Sequence, residues 1–326
     1  MNVQFRLSGQ RILVTGARGF IGSHLCDRLL AEGAEVHGVS RFPVTEGRDR
    51  THWWQADLLD LKNLRGLLHQ VRPDFVFHLS GHVSAAPQEQ NVLPTFHGLL
   101  TSTVNLLTLL SSEFGCTRII LTGSLTEPPP GSVDTPPSSP YAAAKWAGIA
   151  YGRMFHSLYR TPVVITRPYM VYGPRQHPSK IVPYTISSIA QGIPPSLFSG
   201  TWSADWIYIS DVIEGMIRAA TVRDLEGCTV DFGCGELTPI KEVICHILKI
   251  MKSSVQPVFG MLPDQASEVI RVADVEYTHA KLGWKPTVSI GEGLAITVRS
   301  LRDQFEVSDK RSIAKITDTE KKRTHT

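Results

Sequence analysis

Cysteine is scarce in this chain. Cys26, Cys116, Cys228, Cys234 and Cys245 form no CxxC pair and no ligand-spaced cluster with histidine, which excludes a disulfide framework and a zinc site on spacing. Reduced, buried thiols and no metal are expected. Excess charge of one sign is also missing. The 33 basic and 30 acidic residues leave a net charge of +3, too balanced for a charge-driven nucleic-acid or membrane partner. The amino terminus, MNVQFRLSGQRILV, lacks an apolar stretch after a basic start, and no later segment reads as a membrane-spanning run. A cytoplasmic protein is expected.

What is present is 42% hydrophobic residues in 326, enough for a buried core in one large domain or two smaller ones. The first half alternates short apolar runs with amphipathic segments. RILVTG, AEVHGVS, DFVFHLSG and TRIILTGS read as strands, which predicts βαβ units around a parallel sheet. ITRPYMVYGP, from Ile165 to Pro174, reads as a further strand running into a loop. From about Tyr172 the alternation is interrupted by proline and glycine, although TVDFGCGE near 228–235 still reads as a sheet strand. The fold class expected is therefore α/β. A Rossmann-like doubly wound parallel sheet would occupy residues 1–171, with a smaller C-terminal substrate lobe in 172–308 interleaved with it. LTEPPPGSVDTPPSSP, Leu125 to Pro140, is too rich in proline for helix or central strand and should be a loop. The polar, basic tail 309–326 is expected to be disordered.

In RILVTGARGFIGSHL an apolar strand ends at Thr15, and Gly16, Gly19 and Gly22 lead into a helix. Gly16 permits the tight turn, Gly19 the approach of backbone to a pyrophosphate, and Gly22 close packing of helix on strand. The phosphate charge would rest at the helix amino terminus. Where an NAD enzyme places an acid for the ribose hydroxyls, GVSRF has Ser40 and Arg41. An acid there would repel a 2′-phosphate, whereas Arg41, aided by Arg18, would attract one, so NADP(H) is favoured over NAD(H). Asp57 either accepts from the adenine amino group, with Leu58 beside the ring, or caps the following helix. Leu79, Ser80 and Gly81 would run along the ribose and pyrophosphate, and His78 packs within its strand.

Tyr141 and Lys145, in SPYAAAKWAG, lie one helical turn apart on one face. The ammonium there lowers the phenol's pKa and makes it a proton donor and acceptor. With the glycine turn upstream, the pair describes redox chemistry at an oxygen-bearing carbon.

TGARGFIG, ADL at 56–58, FHLSG, YAAAK, RPYMVYGPRQ, DWIYISDV and LGWKP occur in the order found in the extended short-chain dehydrogenase/reductase family. The chain resembles its nucleotide-sugar epimerase, dehydratase and reductase branch over about residues 10 to 290. The resemblance implies Tyr141 as general acid/base, Lys145 on the nicotinamide ribose and Ser124 bonded to the reacting oxygen. It places Phe20, Ile21 and Pro168 with the glycines at the cofactor, and Thr126 and Tyr169 at the substrate, where Arg175, Lys180 and Trp202 are further candidates from their own chemistry. It also implies a homodimer built on the helices carrying the Tyr and Lys.

Three departures narrow the reading. Leu125 and Thr126 follow Ser124 where dehydratases carry an Asp-Glu pair, so dehydration by that route is not expected. Met170 replaces the asparagine that meets substrate phosphates, and GTWSADW lacks a phosphate-binding arginine, with Arg271 the nearest stand-in for a second one. Arg175, His177 and Lys180 offer other positive charge to a diphosphate, and Trp202 and Trp206 either stack on a base or sugar or pack in the core. The leading expectation is an NADP(H)-dependent 4-ketoreductase of a 4-keto-6-deoxy nucleotide sugar. An NAD-dependent nucleotide-sugar 4-epimerase is the alternative within the family, and a catalytically silent dinucleotide-sensing regulatory protein the alternative from another class.

Overall fold

The apolar runs assemble into one sheet of seven strands. The computed structural model describes residues 5–44, 50–82, 86–128, 135–262 and 270–303. Its main strands are β1 (Arg11–Thr15), β2 (Glu35–Ser40), β3 (His52–Gln55), β4 (Phe75–His78), β5 (Arg118–Thr122), β6 (Val163–Pro168) and β7 (Thr229–Phe232). Every pairing is parallel, in the order β7-β6-β5-β4-β1-β2-β3. The order reverses between β1 and β4, and ligands of such sheets bind at the carboxyl ends of the strands beside that reversal.

Strands covered on both faces read as continuous apolar runs, because alternate residues serve two cores. Leu13, Val76, Ile119, Leu121, Val163 and Ile165 join one cluster with Leu64, Leu68, Leu106 and Ile149 from the helices. Ile12, Val14, Phe75, Phe77 and Ile120 lie between them in sequence and are as deeply buried. Helix α1 (Phe20–Ala31) packs with helix Ile209–Thr221. The helical run α3 (Glu89–Phe114) packs with helix α2 (Leu61–Val71) and with α4 (Pro140–Tyr159).

Several local expectations change. Asp60, not Asp57, caps α2, accepting from the backbone N–H groups of Lys62 at 2.9 Å and Asn63 at 3.1 Å. Asp57 sits one turn earlier and accepts from Leu59 N–H at 3.0 Å. The run Ile165 to Pro174 is divided: β6 ends at Pro168, and Met170–Tyr172 is a separate short strand. Among the cysteines only Cys26 is buried, and Cys245 is exposed; all five are free thiols. Contrary to expectation, α3 is long and apolar enough to cross a membrane, with a mean hydropathy of 1.2. Its apolarity has a use in the fold, since Leu106, Leu107, Leu109 and Leu110 belong to the core cluster. The middle of the proline-rich segment, 129–134, and the tail 309–326 lie outside the described residues.

The chain divides into two compact units. The first comprises Met1–Val171, Ala204–Leu237 and Gln265–Thr287, and the second Tyr172–Ser203, Thr238–Asp264 and Val288–Thr326. In the second, helices Ile181–Ala190 and Ile240–Met251 pack together. The segment before Ser203 is tied down by backbone bonds, Leu197 N–H to Val258 O at 2.9 Å and Ile240 N–H to Trp202 O at 3.0 Å.

Candidate active site

At the reversal of strand order, Gly16 has a φ of 69°, and a Cβ there would stand 2.8 Å from the backbone of Leu79 and Ser80. Glycine is what lets the ends of β1 and β4 come this close. A Cβ on Gly22 would meet Gly16 O at 2.2 Å, so α1 can seat on the turn only with glycine at this position. Gly19 is the amino-terminal cap of α1, whose first turn has no acidic residue to offset its positive dipole end. Ser80 Oγ and Thr122 Oγ1 are buried and have no hydrogen-bond partner among the described residues. An uncluttered helix terminus, a cradle shaped by glycine and two orphaned hydroxyls at the strand ends fit a dinucleotide phosphate and ribose.

Thr15 holds this edge together. Its Oγ1 accepts from Leu79 N–H at 3.2 Å and Ser80 N–H at 3.3 Å. Thr103 Oγ1 donates its hydrogen to Leu99 O at 2.5 Å, so His78 Nε2–H donates to Thr103 at 2.9 Å and His78 Nδ1 accepts from Thr15 Oγ1 at 2.8 Å. Burial, with the Lys145 charge nearby, pushes His78 down to about 3, and the ring is neutral. The sequence reading of His78 as a packed residue agrees with this placement.

At the end of β2, Ser40 Oγ accepts from Phe42 N–H at 3.2 Å, and Arg41 lies exposed with its guanidinium 5.9 Å from the Phe42 ring centre. Arg18 is also exposed, and neither arginine has an ion pair among the described residues. Leu58 is buried, while Phe20 and Ile21 are half-buried in the first turn of α1.

Ser139 caps α4 by accepting from Ala142 N–H at 3.2 Å, and Pro140 opens the helix. This start places Tyr141 and Lys145 over the end of β5. Lys145 Nζ donates to Thr122 O at 2.6 Å, and Tyr141 and Ser124 share a hydrogen bond. Thr126 Oγ1 donates to Ser124 Oγ at 3.0 Å, so Ser124, Thr126, Tyr141 and Lys145 form one group. Without a dinucleotide, Tyr141 lies above the usual tyrosine range. Burial raises it and outweighs the Ser124 bond, with the Glu127 charge adding to the rise. Burial also lowers Lys145 to about 8, opposed by Glu127.

Glu127 was not singled out in sequence. It is 2% exposed, and its Oε1 accepts from Ser124 N–H at 3.0 Å. Its Oε2 lies 3.8 Å from Arg167 Nη1 and 3.9 Å from Arg153 Nη2. Arg167 Nε donates to Asp231 Oδ1 at 2.7 Å. Arg271, a candidate phosphate contact, instead donates from Nη1 to Glu127 O at 3.2 Å.

Tyr169, expected at the substrate, is buried, and its hydroxyl lies 3.0 Å from Asp231 Oδ2 and 3.1 Å from Val272 O. Its one phenol hydrogen is shared between these two acceptors, which leaves the oxygen able only to accept from a substrate. Pro168 is buried at the end of β6. Trp206 is 4% exposed, which settles its alternatives in favour of packing. Arg175 and Lys180 belong to the second unit and are exposed there; Trp202, half-buried in the same unit, has its Nε1–H buried without a partner among the described residues.

With this geometry in place, the sequence family described as the NAD dependent epimerase/dehydratase family matches residues 12–232. UDP-glucose 4-epimerase of Mycolicibacterium smegmatis is 32% identical over 91% of this chain and 100% of its own length. Among solved structures, UDP-glucose 4-epimerase from Thermotoga maritima with UDP-glucose superposes with a TM-score of 0.82 at 25% identity, covering 90% of this chain and 99% of that one. UDP-glucuronic acid 4-epimerase from Bacillus cereus, in complex with UDP-glucuronic acid and NAD, gives 0.80 at 27% identity with the same coverage.

Proposed function

The chain belongs to the NAD dependent epimerase/dehydratase family, and on that premise we propose that it is a nucleotide-sugar 4-epimerase using a bound NAD(P). The observation that carries this reading is the grouping of Ser124, Tyr141 and Lys145 over the end of β5, beside the glycine cradle and the orphaned hydroxyls of Ser80 and Thr122. Gly16, Gly19, Gly22, Ser80 and Thr122 would hold the dinucleotide, with Asp57 and Leu58 toward the adenine. When bound, it supplies the redox exchange at the sugar carbon. Tyr141 takes the proton of the sugar hydroxyl and returns it, Ser124 donates to the same oxygen, and Lys145 holds the ribose while its charge favours the phenolate. Arg175, Lys180 and Trp202 are the second unit's candidates for the nucleotide diphosphate and base.

A second reading, reduction of a 4-keto sugar with dissociable NADP(H), rests on Ser40 and Arg41, which stand at the end of β2 where an NAD enzyme places an acid. Dehydration through an acid pair directly after Ser124 is disfavoured, since Leu125 and Thr126 stand in those positions. Exposed Leu93, Phe96, Leu158 and Tyr159 on α3 and α4 support a homodimer through the helix bearing Tyr141, and a cytoplasmic location fits this chemistry.

Product analysis with UDP-glucose, UDP-glucuronate and a 4-keto-6-deoxy nucleotide sugar tests these readings. Interconversion of two epimers without net cofactor use supports the epimerase, and NADPH oxidation in step with product supports the reductase. Binding of dinucleotide with no turnover of any nucleotide sugar leaves the silent regulatory reading. Titration with both cofactors tests the role of Arg41. Arg41→Asp should weaken NADP(H) about tenfold or more while sparing NAD(H); equal affinities in the parent chain defeat the NADP preference.

A further inference from the structure

A carboxylate is an unusual neighbour for a reacting tyrosine, and this one is built in. Glu127 is almost wholly buried, and a Cβ on Gly123 would stand 2.2 Å from its Oε1, so the strand end is shaped to admit it. Its cations are shared or distant. Arg167 stands closer to Asp231 than to Glu127, and Arg153 is 47% exposed in its side chain at 3.9 Å. The carboxylate therefore keeps a field of its own toward α4. The groups facing it are Tyr141, Lys145 and Arg153 from α4, Arg167 from β6 with Asp231 of β7 behind it, and Arg271 at its carbonyl. His78 of β4 faces Lys145 from the far side and is neutral.

We propose that Glu127 is a positioning residue for the reaction, its carboxylate fixing Ser124 through the backbone and setting the proton occupancy of Tyr141 and Lys145. The inference rests on the reading of Ser124, Tyr141 and Lys145 given under the proposed function. Burial drives both partners toward their neutral forms, the phenol and the amine. The Glu127 charge works with burial on Tyr141 and against it on Lys145. Its effect is to resist ionisation of the phenol while keeping the lysine charged, so Glu127 helps to set the pH at which Tyr141 can take a sugar proton.

The test uses Glu127→Gln, which keeps the shape and an oxygen for Ser124 N–H but removes the charge. Ionisation of Tyr141 is read in the full chain from the near-ultraviolet absorption of the phenolate, with Tyr141→Phe as the blank. The ionisation should fall by about one pH unit in Glu127→Gln, the scale of one charge pair in a partly buried site, and Glu127→Asp should bring it back toward the parent. With substrate, the acid limb of kcat/KM should move down by the same amount. Should the amide variant not fold, Glu127→Met serves as the second probe with the same expected direction. A phenolate titration that superimposes on the parent in a folded neutral variant overturns the proposal. Failure of every nucleotide sugar to turn over would instead defeat the functional reading and leave the titration to decide the role of Glu127.

Discussion

The sheet carries one arginine at the amino end of a strand, fully buried, and one at the carboxyl end of its neighbour, largely covered, and the two are paired differently. Arg118 is the first residue of β5 and has no exposure; Nη1 donates to the carbonyls of Ala219, Ala220 and Val222, and Nη2 to Glu226. Those carbonyls close the helix Ile209–Thr221, so the cation sits where the helix dipole is negative and one carboxylate completes the balance. Arg167, near the carboxyl end of β6, meets two carboxylates, Asp231 and Glu127. At the first end charge is matched within a closed set of partners. At the second, Glu127 is shared among Arg167, Arg153 and the field of Lys145, and no pair is exclusive. A closed set serves stability, and a shared one leaves the site responsive to what binds.

The sharpest way to test that division is to disable each end separately. Tyr141→Phe should lower turnover about 10²- to 10⁴-fold while leaving dinucleotide affinity and the unfolding midpoint nearly unchanged, since the ring stays and one hydroxyl goes. Near-parental turnover on the true substrate would remove Tyr141 from the mechanism. At the other end, Arg118→Met should cost about 3–5 kcal/mol in urea unfolding, because Glu226 and three carbonyls lose their donor, and the pH profile of whatever activity remains should not move. A loss under about 1 kcal/mol would mean that the closed set contributes little.

The smallest effect joins stability to the site's own edge. His78 is neutral in the fold with a pKa of about 3, and an unfolded histidine titrates near 6.5, so between those values the unfolded chain binds more protons. Its contribution is fully present above about pH 6.5 and is lost as the pH falls toward 3. Stability should drop by about 2 kcal/mol from pH 7 to pH 5 through this group alone, and His78→Gln should flatten that slope. Identical slopes in both proteins would show that other groups carry the acid sensitivity.

Much of the first unit was legible because its signals are local. A strand buried on both faces must be apolar throughout, and a turn that brings Leu79 and Ser80 to 2.8 Å of a would-be Cβ must be glycine, so RILVTGARGFIG declares itself. Tyr141 and Lys145 were legible by helical spacing. Glu127 was not, because it lies in a proline-rich run and its burial depends on Arg153 and Arg167, brought in by elements distant in sequence. The bond from the Tyr169 hydroxyl to Asp231, 62 positions on, was illegible for the same reason. The apolar character of α3 was missed because polar residues interrupt it, while its leucines still gather on the sheet.

The chain's passage back and forth between its two units has a consequence for synthesis. When translation has delivered Val171, six strands of the sheet are complete, but β7 is still some sixty residues away. Until it emerges, β6 is an open edge and Arg167 lacks Asp231. The nascent first unit therefore has to wait with Arg167 matched only by the more distant Glu127 at the place where the chemistry will be assembled. Fragments ending near residue 171 should be sticky and short-lived, and a ribosome pause before β7 would be a point of vulnerability for the whole protein.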